Sequence, residues 1–375
     1  MVSFDLSDDQ KMIRDTVVDF AKNEMRGDGK GERAIKAQDA DEAAKIPDDV
    51  VQKGWGLGLL QQLIPEQYGG FGGQRSAITG AVVAEELAWG DLSMATHILA
   101  PALFAIPVMA VGTPAQKEKY LKMFTGNSFP AATAAVVEPR FGFDLESVQT
   151  AAVPSSKGYE LSGSKCFVPL GASAKHILVW AAPKDSPQTV AGFIVDVEKS
   201  GGMKVEREKN MGLRALETAE LTFDKTVVPV ENRLGEGKKE DFVKLMSASR
   251  IALASMAVGV AKAAFEYARD YAKTRIAFGE PIAQRQSIAF MLAEMAMEID
   301  ATRLLAWEAA WLMDTGKDAF KAAYLAKMYA SDMVMKATDR AVQILGGHGY
   351  IRDHPVEMWM RNARGFAAWE GTAIV

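Results

Sequence analysis

Phe242–Thr274, FVKLMSASRIALASMAVGVAKAAFEYARDYAKT, reads as one long helix. Pro281 to Met313 reads as a second and Lys317 to Leu345 as a third, stopped by Gly346-Gly347. All three are far longer than the about three to four turns of an ordinary helix. Such lengths predict a bundle with part of its surface buried between subunits. Upstream the texture changes. From Gly126 to Leu234 the chain reads as short strands with turns. Tyr159-Glu160-Leu161-Ser162 alternates, His176 to Trp180 and Val190 to Val197 are apolar and β-branched, and Leu221-Thr222-Phe223 resumes the pattern. Pro183, Gly201-Gly202 and Pro229 punctuate these runs. Further upstream the pattern is helical again. Ser7 and Gln10 form a capping box, followed by Ile13, Val17, Phe20 and Ala21 at helix spacing. Pro65 to Gly73 is a glycine-rich loop. A second apolar helix begins near Ser76 and runs through Leu87. Pro107 and Gly112-Thr113-Pro114 mark breaks, and Ala115 to Lys122 is a short helix.

The expected fold is therefore α+β in three parts. Residues 1–125 form an N-terminal helical domain, 126–235 a β-barrel-like or sandwich domain, and 236–375 a C-terminal helical bundle. At 375 residues the chain exceeds what one core usually serves, in keeping with that division. The net charge of -5 disfavours a nucleic-acid binder, which would carry a basic face. Cys166 is the single cysteine, so no internal disulfide forms and a reducing compartment is expected. Met1-Val2-Ser3-Phe4-Asp5 lacks a leader pattern, and no apolar run nears the roughly 20 residues that span a bilayer. A cytoplasmic protein with no membrane insertion is expected.

Chemistry is sparse on the page. His97, His176, His348 and His354 show no zinc spacing, and one cysteine adds no cluster, so no metal is expected. There is no Gly-x-Ser-x-Gly elbow and no Walker loop. Gly54-Trp55-Gly56-Leu57-Gly58 lacks the spacing of a dinucleotide loop and reads as a tight turn. Two glycine-bearing segments remain. In Gln343 to Tyr350, adjacent glycines either cap a helix or admit a phosphate or another backbone. In Trp369-Glu370-Gly371-Thr372, the carboxylate is either an exposed loop glutamate or a base in an apolar pocket.

Taken in order, these segments resemble the acyl-CoA dehydrogenase family over essentially the whole chain. Pro65-Glu66 with Gly69 to Gly72 resembles its N-terminal glycine loop. Val137-Glu138-Pro139 with Gly142-Phe143-Asp144 resembles its Thr-Glu-Pro and Gly-Ser-Asp signature, and Gly163 to Pro169 its Gly-x-Lys-x-Trp-Ile-Thr. Met211 to Arg214, Glu220 to Phe223, Tyr271 to Ile282 with Gln286, Gln343 to Gly347, Met360-Arg361 and Trp369 to Thr372 complete the ordered set. The resemblance implies a C-terminal four-helix bundle, a homo-oligomer (dimer or tetramer), and FAD wedged between the β domain and that bundle.

It also implies roles. Ala134, Ala135, Val137, Phe143, Phe167, Val168 and Pro169 would line the isoalloxazine. Arg275 would face the pyrophosphate, with Phe278 and Gln286 nearby, and Thr372 and Ile374 would touch the cofactor again. Gln343, Gly346 and Gly347 would serve the neighbouring subunit's FAD. Glu370 would take the α proton of an acyl-CoA while a β hydride leaves for the flavin. Phe143, Ser247, Arg250, Trp369 and Gly371 would form the substrate side, although Arg250 also reads as a helix-face cap. An electron-transfer flavoprotein would reoxidise the flavin. The helix with His97, Leu99 and Pro101 would line the acyl cavity.

Departures from the pattern run in one direction. Val137 and Phe143 replace hydroxyl residues, Phe167 stands for tryptophan, Pro169 for threonine, and Ala277 lacks a common hydroxyl. Polar flavin contacts become apolar. Two alternatives follow: a same-fold flavoenzyme with decarboxylating, desulfinating or oxidase chemistry, and a non-catalytic subunit of a hetero-oligomer. The chain ends at Val375, where many relatives continue, so the loop of Glu370 is expected to be loosely anchored.

Overall fold

The computed structural model describes residues 5–27, 29, 33–186 and 189–375. The leader reading of Met1 to Phe4 lies outside them. The N-terminal part is a helical layer: α1 (Asp8–Phe20), α2 (Lys36–Ala43), α3 (Asp48–Trp55), α4 (Ala77–Gly90), α5 (Leu92–Leu99), α6 (Ala102–Val111) and α7 (Pro114–Tyr120). The capping box at α1 is present. The Ser7 hydroxyl accepts from Gln10 N at 3.2 Å, and Gln10 Oε1 accepts from Ser7 N at 3.0 Å. Pro107 does not break the chain as expected but sits inside α6. Proline removes one N–H, and a helix buried from Ala102 to Val108 is held by its packing instead.

The expectation that no apolar run nears membrane length also needs correction. Leu92–Val111 (20 residues) and Lys239–Thr274 (36 residues) are both long and apolar enough. They are 72% and 89% buried within the fold, as core helices are.

The middle part is one curled seven-stranded sheet. Its strands are β1 (Ala132–Ala135), β2 (Ala151–Ser155), β3 (Gly158–Pro169), β4 (His176–Pro183), β5 (Ala191–Asp196), β6 (Met203–Arg207) and β7 (Thr218–Val228). β4 pairs with β5 on one side and with β1 and then β2 on the other; β2 leads on through β3 and β7 to the edge strand β6. β1 and β2 show no clear alternation in the sequence, whereas β6 alternates over Met203-Lys204-Val205-Glu206 and lies outside the expected runs. They are short, and their partners determine them. The β3–β7 ladder shifts register between Lys165 and Val168, which turns Phe167 out of the ladder.

The C-terminal part is built on α8 (Lys239–Thr274), α9 (Gln286–Asp314) and α10 (Phe320–Leu345), with the short α11 (Gly347–Tyr350) and α12 (Val356–Ala363) following. Two helix starts differ from expectation. Ile276-Ala277 pairs with Glu280-Pro281 as a two-stranded ladder and Ile282–Gln284 is a 3-10 turn, so α9 begins at Gln286 rather than Pro281. Asp318 accepts from Phe320 N at 2.9 Å, setting the start of α10 there.

α4 lies along α8, joining the N-terminal layer to the bundle. Gly259 makes this approach feasible: a Cβ there would lie 2.1 Å from the Glu85 carbonyl oxygen. Around the crossing, buried Glu85 meets Arg303 of α9 at 2.9 Å and buried Glu86 meets Lys262 at 2.9 Å. Gly259→Ala is expected to destabilise the fold by about 1–3 kcal/mol, the usual cost of overpacking. Denaturant unfolding would measure it, and an unchanged midpoint would show that the helices can separate freely.

Candidate active site

Glu370 lies in the loop that follows α12 and the 3-10 turn Arg364–Ala367. Its side chain is 17% exposed. Arg250 Nε of α8 reaches Oε2 at 3.3 Å, and Lys327 Nζ of α10 reaches Oε1 at 3.4 Å. The Arg250 guanidinium lies over the rings of Tyr324 at 5.0 Å and Phe320 at 5.8 Å. Arg250 thus pairs with Glu370 and stacks on two rings of α10. Ser247, one turn earlier on α8, is buried and donates its hydroxyl to Val243 O at 2.9 Å. A pocket of about 160 Å³ opens beside Arg250, lined by Leu145, Phe242, Met246, Phe320 and Tyr324 among others.

The loop itself is firmly seated. Gly371 has φ +63, and a Cβ there would lie 2.4 Å from Val136 Cγ2. Glycine is thus required both by the backbone conformation and by the contact with Val136, just past the end of β1. Trp369 is buried, with its ring 5.6 Å from that of Phe366. Thr372, Ala373, Ile374 and Val375 are all buried, and Arg75 donates to the Val375 carbonyl oxygen. The expectation of a loosely anchored loop is corrected, because these side chains fill the core between the layers.

The flavin-side residues divide by face. Ala134 and Ile374 share the core between the helical layer and the sheet. Ala135 and Val168 point into the interior of the β part, so only their backbone could meet a cofactor. Val137 and Pro169 are buried, while Phe143 and Phe167 are half-buried. Phe167 has φ +52, and its N–H donates to Glu208 Oε1 at 3.0 Å. Pro169 closes β3, where it can offer a carbonyl but no N–H. Arg140 lies over the Phe143 ring at 5.5 Å. Cys166, beside Phe167, is buried; burial pushes its thiol up to about 12.

Beneath this wall lies a fully buried cation. Lys165 Nζ meets Glu138 Oε1 at 3.1 Å and donates to Val136 O at 2.7 Å. Glu138 also accepts from Gln149 N at 2.9 Å and Thr150 N at 2.7 Å, and pairs with Arg140 at 3.1 Å. Burial alone would raise the Glu138 carboxyl; Lys165 and these N–H groups outweigh it and hold the carboxyl at about 2.

A second group lies at the ends of the long helices. Arg275, Phe278, Gln286, Gln343, Gly346 and Gly347 are all exposed on this chain. Gly346 has φ +58, and a Cβ on either glycine would meet nothing within 4 Å. Tyr271 and His348 Nδ1 lie 2.8 Å apart and Tyr267 and His354 Nδ1 2.7 Å apart, tying the end of α8 to the segment after the glycines. His97 and Leu99 part company. Leu99 faces a cavity of about 460 Å³ with Ala102, Ile106 and Ile374. His97 instead packs 5.1 Å from Phe129 in another cavity, where burial holds its imidazole down at about 4.

Sequence reading missed Lys327, Glu208 and the ring pair on α10. A signal was available: Phe320, Tyr324, Lys327 and Ser331 recur at the spacing of one helix face.

Models of the acyl-CoA dehydrogenase N-terminal, middle and C-terminal domains match residues 7–127, 133–226 and 240–375. A probable acyl-CoA dehydrogenase of Bacillus subtilis is 34% identical, covering 100% of this chain and 97% of its own. The caffeyl-CoA reductase–Etf complex subunit CarC of Acetobacterium woodii is 35% identical, covering 98% and 96%. The structure of butyryl-CoA dehydrogenase from Megasphaera elsdenii superposes with a TM-score of 0.87 at 32% identity, covering 98% and 96%.

The buried pair makes stability depend on pH. The Glu138 carboxyl sits below its ordinary 4.5, so its contribution is full above that value and is lost as pH falls toward about 2. Glu138→Gln is expected to be less stable at neutral pH and to lose less stability over that acid range. Unfolding curves at several pH values would check this, and parallel losses in both proteins would remove Glu138 as the cause.

Proposed function

The chain belongs to the acyl-CoA dehydrogenase family, FAD-dependent oxidoreductases acting on CH–CH bonds, and from that premise we propose that it converts an acyl-CoA thioester to the α,β-enoyl-CoA. The observation that carries the reading is the largely buried Glu370 carboxylate, paired with Arg250, which itself lines a pocket between α8 and α10. Glu370 would take the α proton. An α proton of a thioester is far less acidic than a carboxylic acid, so the site must also stabilise the developing enolate oxygen with donors already in place. Gly371 permits the close seating of that loop against Val136, just past β1. The acyl group would occupy the cavity whose apolar side is formed by Leu99, Ala102, Ile106 and Ile374.

FAD, when bound, would supply the acceptor for the β hydride. This chain's residues fit such a group. Thr372 Oγ1 is buried without a hydrogen-bond partner, an orphan that a cofactor could satisfy, and Phe143, Phe167 and Pro169 would form the wall. Val137, and Ala135 and Val168 through their backbones, would complete that wall. Arg275, Phe278 and Gln286 would hold the polar end, and Gln343, Gly346 and Gly347 would reach the cofactor of a neighbouring copy. The outward exposure of those six residues supports that division.

A homo-oligomer is part of the proposal. Phe290, Met297, Leu304 and Trp311 recur every seventh residue on α9 and are 57%, 63%, 46% and 46% exposed. Such a stripe calls for a covering partner. The likeness to a subunit named for an Etf complex supports an electron-transferring flavoprotein as acceptor. The single buried cysteine supports a reducing, cytoplasmic setting.

Glu370→Gln is expected to retain bound FAD but to lose anaerobic bleaching by acyl-CoA thioesters by at least about a hundredfold, as removal of a general base does. Stopped-flow absorbance with a panel of thioesters measures it, and near-normal bleaching would refute the assigned base. Met297→Glu is expected to lower the mass seen by light scattering while helix content stays constant. An unchanged mass would move the subunit contact elsewhere.

A further inference from the structure

Two cations converge on Glu370 from different helices, and only one of them has a second evident duty. Arg250 reaches Oε2 from α8 while its guanidinium is stacked on Tyr324 and Phe320. Lys327 reaches Oε1 from α10 at 3.4 Å, and its side chain is 13% exposed. Burying most of a lysine costs free energy that only a well-placed counter-charge offsets. One turn further along α10, the Ser331 hydroxyl lies 2.9 Å from Lys327 O and 3.1 Å from Phe366 O and shares its one proton between them. α10 therefore holds the segment 366–370 at both ends, through Ser331 and through Lys327.

We propose that Lys327 is a positioning residue for the base: holding Oε1 while Arg250 holds Oε2, it fixes the plane of the Glu370 carboxylate and so the direction from which the α proton is taken. The inference rests on the reading of Glu370 as that base. A glutamate on a loop turns about several single bonds, and one ion pair leaves the carboxylate free to rotate around it. Two tethers on separate oxygens, anchored on helices that pack against each other, remove that rotation. Arg250 and Lys327 are the charged groups that pair with Glu370 among the described residues, and Tyr324 serves Arg250 rather than the carboxylate.

The test isolates proton removal from hydride loss. Acetyl-CoA has α hydrogens but no β carbon, so the FAD-loaded protein in D2O can exchange its α hydrogens without oxidising it. Mass spectrometry reads that exchange. Butyryl-CoA, by anaerobic bleaching, reads the whole reaction. In Lys327→Met, both rates are expected to fall by at least about tenfold while the acetyl-CoA Kd stays within about twofold. Lys327→Arg is expected to recover most of the rate. If Lys327→Met does not fold, Lys327→Gln carries the same expectations.

Rates within about twofold of the unaltered protein would overturn the proposal, as would a loss confined to Kd. So would a Lys327→Arg variant as slow as Lys327→Met, because that describes a purely structural lysine. Exchange that persists in Glu370→Gln is a different result: it removes Glu370 as base, whatever the Lys327 variants do.

Discussion

An ionised carboxylate cannot be shut away from water without partners, and much of this architecture answers that constraint. Glu370 is shielded because a layer of helices closes over it, and it is tolerated there because Arg250 and Lys327 arrive from α8 and α10. Those helices must then be held in register. Their mutual packing, the crossing of α4 over α8 at Gly259, and the ion pairs of Glu85 and Glu86 provide that frame. The long helices are thus the scaffold that brings two cations to one loop.

The sheet solves a related problem from the other side. Its wall must present Phe143 and Phe167 toward the helices while keeping the chain between Val136 and Gln149 in one shape. Glu138 does this by gathering backbone N–H groups of Gln149 and Thr150, with Lys165 beneath it. The bulge at Phe167, with its N–H held by Glu208, then aims an aromatic ring out of the ladder. Apolar substitutions at Val137, Phe143 and Pro169 leave this support untouched, since its polar contacts come from other residues.

Much of the plan was legible before any coordinates. Long helical periodicity around α8 to α10, strand alternation in β3, β4 and β7, and the ordered motifs up to Trp369-Glu370-Gly371-Thr372 located the three parts and the loop. What escaped has physical reasons. β1, β2 and β6 are short strands whose partners decide them, and Pro107 sits in a helix because burial outweighs one missing N–H. Lys327 lies 43 positions before Glu370 in the chain and meets it only after α10 folds back, so no local pattern could pair them. Arg275, Phe278, Gln286, Gln343, Gly346 and Gly347 stay exposed on this chain, so the fold of one chain assigns them no contact.

Cys166 carries a practical consequence. It is the sole thiol in 375 residues, shut behind the sheet with its S–H pushed up to about 12. Alkylating reagents act on the thiolate, which this environment withholds at neutral pH. The native protein is thus expected to be a silent background for maleimide chemistry, and a cysteine introduced at exposed Lys157, in the turn between β2 and β3, would carry a fluorophore or spin label alone.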